Sequence, residues 1–188
     1  MGIAEPAIIL KTKDGGKTWY KVFEDSTKGM FLDAMDFDDK GTGIVIGDPI
    51  EGNLFKAFTV DNGEHWSSLQ MIDPLSKLAE GEAFFAASGT NAVFTKNKDY
   101  PVAYVTGGTV SRLFYSEKFY LLDIIQGKES TGANSIAIDN SGKNAVIVGG
   151  DFSADTFASL NCVLVKLKTK PEFKHPKTPP HGYRSCVE

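Results

Sequence analysis

Thr59-Val60-Asp61-Asn62-Gly63-Glu64-His65-Trp66 repeats the pattern of Thr12-Lys13-Asp14-Gly15-Gly16-Lys17-Thr18-Trp19. Both stretches read T-x-D-x-G-x-x-W, and their aspartates, Asp14 and Asp61, lie 47 positions apart. These residue types describe a β-hairpin turn. The Asp carboxylate accepts backbone N–H bonds inside the turn, Gly16 or Gly63 takes the positive φ, and Trp19 or Trp66 returns on the next strand to pack. Thr12 and Thr59 open the two turns. The first role of all eight residues is therefore structural.

Working outward, the runs Ile44-Val45-Ile46-Gly47, Tyr104-Val105-Thr106-Gly107 and Val146-Ile147-Val148-Gly149 each end a β-rich segment at glycine, with spacings of 60 and 42 that bracket the spacing of the turns. Periods of about 40 to 50 residues holding several strands are those of propeller blades. The expected fold is an all-β chain, a β-propeller of four-stranded antiparallel blades. The blades fall at 1–28 (partial), 29–80, 81–130 and 131–180, with 181–188 as the first strand of another. Three are nearly whole.

Strands are predicted at Leu32–Phe37, Gly43–Gly47, Asn53–Thr59 and Trp66–Met71 in the second blade. In the third they fall at Phe84–Ala87, Ala92–Thr95, Val102–Thr106, Arg112–Ser116 and Phe119–Ile124. In the fourth they fall at Ser135–Asp139, Ala145–Gly149 and Cys162–Leu167. Asp73-Pro74-Leu75-Ser76-Lys77-Leu78-Ala79 carries the one helical signal, with Asp as N-cap and Pro at the first helical position. The basic, Pro-rich stretch from Lys166 to Arg184 reads as an extended connection between blades.

A formal net charge of −4 supplies no basic field for nucleic acid. No run of 18 apolar residues is present, so no membrane-spanning helix is expected. The opening M-G-I-A-E-P-A-I-I-L-K shows no basic segment followed by a long apolar one, so no signal peptide is read in it. Gly41-Thr42-Gly43-Ile44-Val45-Ile46-Gly47 has the wrong spacing for a dinucleotide loop, and a β-branched strand stands where a helix must hold the pyrophosphate. Asp36, Asp38 and Asp39 hint at a calcium loop, but Lys40 and Gly47 occupy ligand places, and a hairpin turn accounts for them better. No cofactor and no metal site is expected.

Several segments in order carry a resemblance: D-A-M-D-F at Asp33–Phe37, G-I-V-I-G-D-P at Gly43–Pro49 followed by the second repeat turn, G-E-A-F-F-A-A-S-G-T at Gly81–Thr90, V-I-V-G-G-D ending at Asp151, and P-P-H-G-Y-R-S-C at Pro179–Cys186. The repeat turn resembles the Asp-box, or BNR repeat, of sialidase-like propellers. The ordered set resembles bacterial proteins related to the photosystem II stability and assembly factor. That resemblance implies a seven-bladed ring of which this chain is a part, export to the periplasm or beyond, and a binding or assembly role for a protein or peptide partner. The alternative it carries is a carbohydrate-active, glycosidase-like enzyme. A sialidase is disfavoured, because two arginines cannot form a three-arginine carboxylate clamp and F-R-I-P is absent.

Propellers work at the channel mouth, so site candidates are those placed near inner strands. Arg112 and Arg184 match arginines of the family pattern. Two readings stand for them: bidentate binding of an acidic or C-terminal peptide segment, or inter-blade salt bridges. Asp48 and Asp151, at or just after strand-ending glycines, read as turn caps or as acidic binding groups. Glu82 and Asp151 are the carboxylates a glycosidase would use. Cys162 and Cys186 read either as two buried thiols or as a disulfide between blades.

Overall fold

The computed structural model describes residues 6–70 and 77–188. It is all-β. The helical turn read at Asp73–Ala79 falls mostly outside the described residues. Strands β1 (Ala7–Lys11) and β2 (Tyr20–Asp25) form a two-stranded sheet. Strands β3 (Leu32–Phe37), β4 (Gly43–Ile50), β5 (Asn53–Thr59) and β6 (Ser67–Gln70) form a second sheet in chain order. After the short β7 (Glu82–Ala83), a third sheet is built from β8 (Ala92–Phe94), β9 (Val102–Val105), β11 (Arg112–Tyr115) and β12 (Lys118–Leu121). The fourth contains β13 (Thr131–Ile138), β14 (Asn144–Asp151), β15 (Cys162–Lys166) and β16 (Glu172–Lys174). Beyond β13 it is extended by β10 (Gly107–Gly108) and β7. All pairings of these strands are antiparallel.

The sheets pack face on face, and strand alternation divides the apolar residues between two neighbours. On β4, Val45 joins Ala7 and Ile9 of the first sheet, while Ile44 and Ile46 join Tyr104 and Phe114 of the third. On β9, Tyr104 faces the second sheet, while Ala103 and Val105 face Ile136, Ile147 and Val163 of the fourth. Each fully buried Ile, Leu or Val contributes about 1.5–3 kcal/mol relative to exposure, so these three interfaces hold the sheets in order.

The two repeated turns are built alike. Thr12 Oγ1 donates to Asp14 Oδ1 at 2.8 Å and accepts from Gly16 N at 2.8 Å, while Asp14 Oδ1 accepts from Thr18 N at 2.9 Å. In the second turn Thr59 Oγ1 donates to Asp61 at 2.8 Å and accepts from Gly63 N at 3.0 Å, and Asp61 Oδ1 accepts from Glu64 N and His65 N, both at 3.0 Å. Gly16 and Gly63 have φ of 89° and 78°. Trp66 packs edge-on against Phe37 at 5.9 Å, while Trp19 is exposed. These bonds hold both carboxyls below the ordinary range, Asp14 at about 2 chiefly through Thr18, and Asp61 lower still chiefly through His65. Their contribution is present above about pH 4 and lost as acid protonates them. Asp61→Ala is expected to lower the urea midpoint, followed by tryptophan fluorescence, more than Asp14→Ala. The second turn joins β5 to β6 against a buried Thr59, whereas the first closes a two-stranded sheet.

Strands β3 and β5 have the expected bounds, and other parts differ from expectation. Phe84–Ala87 is not a strand; Glu82–Ala83 pairs instead with Gly107–Gly108. The cause is close approach, since a Cβ on Gly108 would collide with the Gly81 carbonyl. Glu172–Lys174, read as part of a connection, pairs with β15. The 181–188 stretch is not a strand. Gly182 has a φ of 93°, and the segment is tied down by single bonds, Tyr183 N to Asp155 O at 2.8 Å and Arg184 N to Gly149 O at 2.9 Å. Cys162 is buried in β15 and Cys186 is exposed, and both are free. The disulfide reading is thus not realised here, and the buried-thiol reading fits Cys162 alone. Gly47 and Gly149, expected to end strands, lie inside β4 and β14, where steric necessity explains them, since a Cβ there would overlap the carbonyls of Phe31 and Gly132.

Candidate binding face

The first full strands of three successive sheets lie side by side. Asp36 Oδ2 on β3 accepts from Phe94 N on β8 at 2.6 Å. Thr90, just before β8, links to β13 through Ile136 N at 3.0 Å and through Ser135 Oγ at 2.6 Å. Ser135 in turn accepts from Val187 N at 3.1 Å. A line of contacts therefore runs from β3 through β8 and β13 to the C-terminal stretch.

At the same place in each repeat stands a buried polar residue: Asp33, Asn91 and Asn134, 14 to 16 positions before Gly47, Gly107 and Gly149. The register of β3 with β4 breaks between Leu32 and Ala34, and that of β13 with β14 breaks between Ala133 and Ser135. Asp33 and Asn134 thus sit at matching bulges, which turn a side chain out of the ordinary alternation. The amides use their NH2 groups as ties, Asn91 to Phe85 O at 2.9 Å and Asn134 to the Tyr183 hydroxyl at 3.0 Å. Asn161 does the same to Pro180 O at 2.9 Å and Gly182 O at 2.7 Å.

Asp33 is the ionisable member of the row. Burial, reinforced by the neighbouring Asp48 charge, pushes its carboxyl up to about 9, although the Asp48 backbone N–H opposes the shift. Asp48 is also raised by burial, against a bond from the Phe84 backbone. At neutral pH Asp33 is therefore a neutral acid carrying one donor and one acceptor, as an asparagine amide does. The three repeats place chemically equivalent groups in one row. Asp48 Oδ1 is buried without a protein partner, and the backbone that bonds to this carboxylate is that of Phe84, distant in the chain.

The other candidates are internally engaged. The Glu82 carboxylate, fully buried, meets Arg112 Nη2 at 3.0 Å, Thr106 Oγ1 at 2.6 Å and Ala79 N at 2.8 Å. The Arg112 guanidinium also lies 4.5 Å from the Phe119 ring centre. Of the two readings of Arg112, the geometry is that of the internal salt bridge. Asp151 accepts from Ser153 N at 2.9 Å and Ser153 Oγ at 2.6 Å, which lowers its pKa and makes it a turn cap. Arg184 is exposed, and its Nη1 donates to the Tyr183 carbonyl at 2.7 Å. The structure thus brings Glu82 to Arg112 and Asp48 to Asp33, and leaves Arg184 on the surface.

Sequence reasoning missed Asp33, Asn91 and Asn134. Aligning the repeats on Gly47, Gly107 and Gly149 would have found them, since each is followed by a small residue, Ala34, Ala92 or Ser135. No family model matches the chain, and a search of curated proteins finds no match. Among the described residues, no helix is long and apolar enough to cross a membrane, and no group of three or more His, Cys, Asp or Glu is placed to hold a metal ion.

Proposed function

We propose that the chain is part of an Asp-box β-propeller, related to the photosystem II stability and assembly factor group, and serves as a binding and assembly scaffold for a protein or peptide partner. The observation that carries this reading is the row of strands β3, β8 and β13, with a buried polar residue, Asp33, Asn91 or Asn134, in or directly before each at the same repeat position. Side-by-side first strands are what a common channel axis requires. The engagement of Glu82 by Arg112, and of Asp151 by Ser153, supports a structural role for both carboxylates. Arg184 then remains as the exposed guanidinium for the carboxylate of an acidic or C-terminal peptide segment.

Fluorescence anisotropy with labelled acidic peptides ending in a free carboxylate tests the reading. Binding is expected, with a loss of about tenfold or more in Arg184→Ala, the scale of a charge-assisted hydrogen bond. Equal affinity in that variant would remove Arg184 from the site. A second reading rests on the Asp33–Asp48 pair, because a protonated carboxyl beside an ionisable one is the minimum set for glycoside hydrolysis. Turnover of aryl glycosides by the chain, abolished in Asp33→Asn, would replace the scaffold reading with that one.

A further inference from the structure

Between the second and third sheets lies an open cleft of about 490 Å³, away from the inner-strand row. Leu54, Lys56 and Phe58 alternate along β5 toward the third sheet, so Lys56 occupies a place in a row that is otherwise apolar. Opposite stand Tyr104 and Phe114, stacked at 4.8 Å and 11°, with Tyr100 and Tyr115 completing the walls. Lys56 Nζ lies 4.3 Å from the Tyr104 ring centre. Among the described residues, no hydrogen bond or ion pair engages this ammonium group. The remaining titratable groups of the cleft, Asp99, Glu117 and Lys118, are exposed at its rim.

We propose that Lys56 is a reactive amine that captures small neutral aromatic aldehydes in this cleft as imines. The aromatic walls suit one planar ring, and the volume is that of a small-molecule site. Burial lowers the Lys56 pKa to about 8, so a substantial fraction of the amine is free at mildly alkaline pH, as nucleophilic lysines require. The step balances without oxidant or reductant. The nitrogen lone pair attacks the carbonyl carbon, the C=O pair moves to oxygen, and the nitrogen passes its proton to that oxygen. The hydroxyl then leaves as water with the second nitrogen proton, leaving a C=N bond. This site is independent of the scaffold reading.

The test uses the intact chain, salicylaldehyde at pH 7.5, sodium cyanoborohydride as the trapping hydride donor, and peptide mapping by mass spectrometry. Lys56 is expected to carry at least about tenfold more adduct than exposed lysines such as Lys168, given the larger free-amine fraction at a lower pKa. That preference should vanish in denaturing urea and with glyoxylate, an aldehyde that is anionic and has no ring. Adduct spread evenly over the lysines would overturn the proposal, as would an equal preference with glyoxylate.

Discussion

Asp33→Asn raises the stability of the fold at pH 8.5 and flattens its dependence on pH. The native carboxyl is 1% exposed, and burial beside Asp48 pushes it up to about 9, whereas the unfolded chain releases that proton near pH 4. Between these two values the folded state holds one more proton than the unfolded state. Stability therefore falls as pH rises through this window, at about 1.4 kcal/mol per unit where the difference is complete. Below about pH 4 both states are protonated and the penalty is absent. Asparagine at this position carries no such penalty at any pH. The replacement also has two precedents within the chain, since Asn91 and Asn134 occupy the matching sites. Urea midpoints at pH 5.5, 7 and 8.5 should converge for Asp33→Asn and separate for the native chain. Parallel profiles would show that Asp33 titrates as an ordinary carboxyl, and the acid-pair account would fall.

Arg112→Ala should cost about 3–5 kcal/mol, the usual penalty for stranding one member of a buried pair. The Glu82 side chain is 0% exposed and that of Arg112 12%, so water screens their 3.0 Å contact little. With the guanidinium gone, Glu82 keeps Thr106 and the Ala79 N–H but loses its countercharge. The double variant Glu82→Gln with Arg112→Met leaves no buried charge and should recover more than half of the loss. Equilibrium denaturation of the two variants beside the native chain decides the matter. A cost near zero for Arg112→Ala would mean that the pair is hydrated and the guanidinium available to a ligand. At the expected loss of stability Arg112→Ala is a poor probe of binding, and Arg184 is the better one.

The parts of the fold legible in the sequence were those written in local chemistry. The T-x-D-x-G-x-x-W turns announce themselves because hydroxyl, carboxylate and glycine act within a few residues of one another. Strands such as Leu32–Phe37 and Asn53–Thr59 follow from alternation between turns. What depended on distant chain was not legible. Glu82–Ala83 becomes a strand because two glycines pass beside it, and Glu172–Lys174 because β15 offers an edge. Ser116-Glu117 forms a two-residue hairpin loop with φ of 53° and 57°, a geometry that neither residue type advertises. Among the site candidates, Asp151 and Glu82 were visible as acids, but their partners Ser153 and Arg112 decide what those acids can do. Asp33 looked like any polar residue in an alternating strand until the bulge turned it inward.

The placement of the apolar clusters has a consequence for how damage spreads. The second and third sheets each share a cluster with a neighbour on both faces, whereas among the described residues the first and fourth share a cluster on one face. A truncation such as Ile46→Ala in β4 or Leu113→Ala in β11 opens a void in one interface while the same strand still clamps the other. A comparable lesion in the first sheet opens the one apolar cluster it shares among the described residues, leaving the polar ties of Lys11, Lys13 and Tyr20 to Glu64. Fraying therefore starts at the outer layers and moves inward, so that amide protons of β4 and β9 outlast those of β1 and β2 in deuterated solvent.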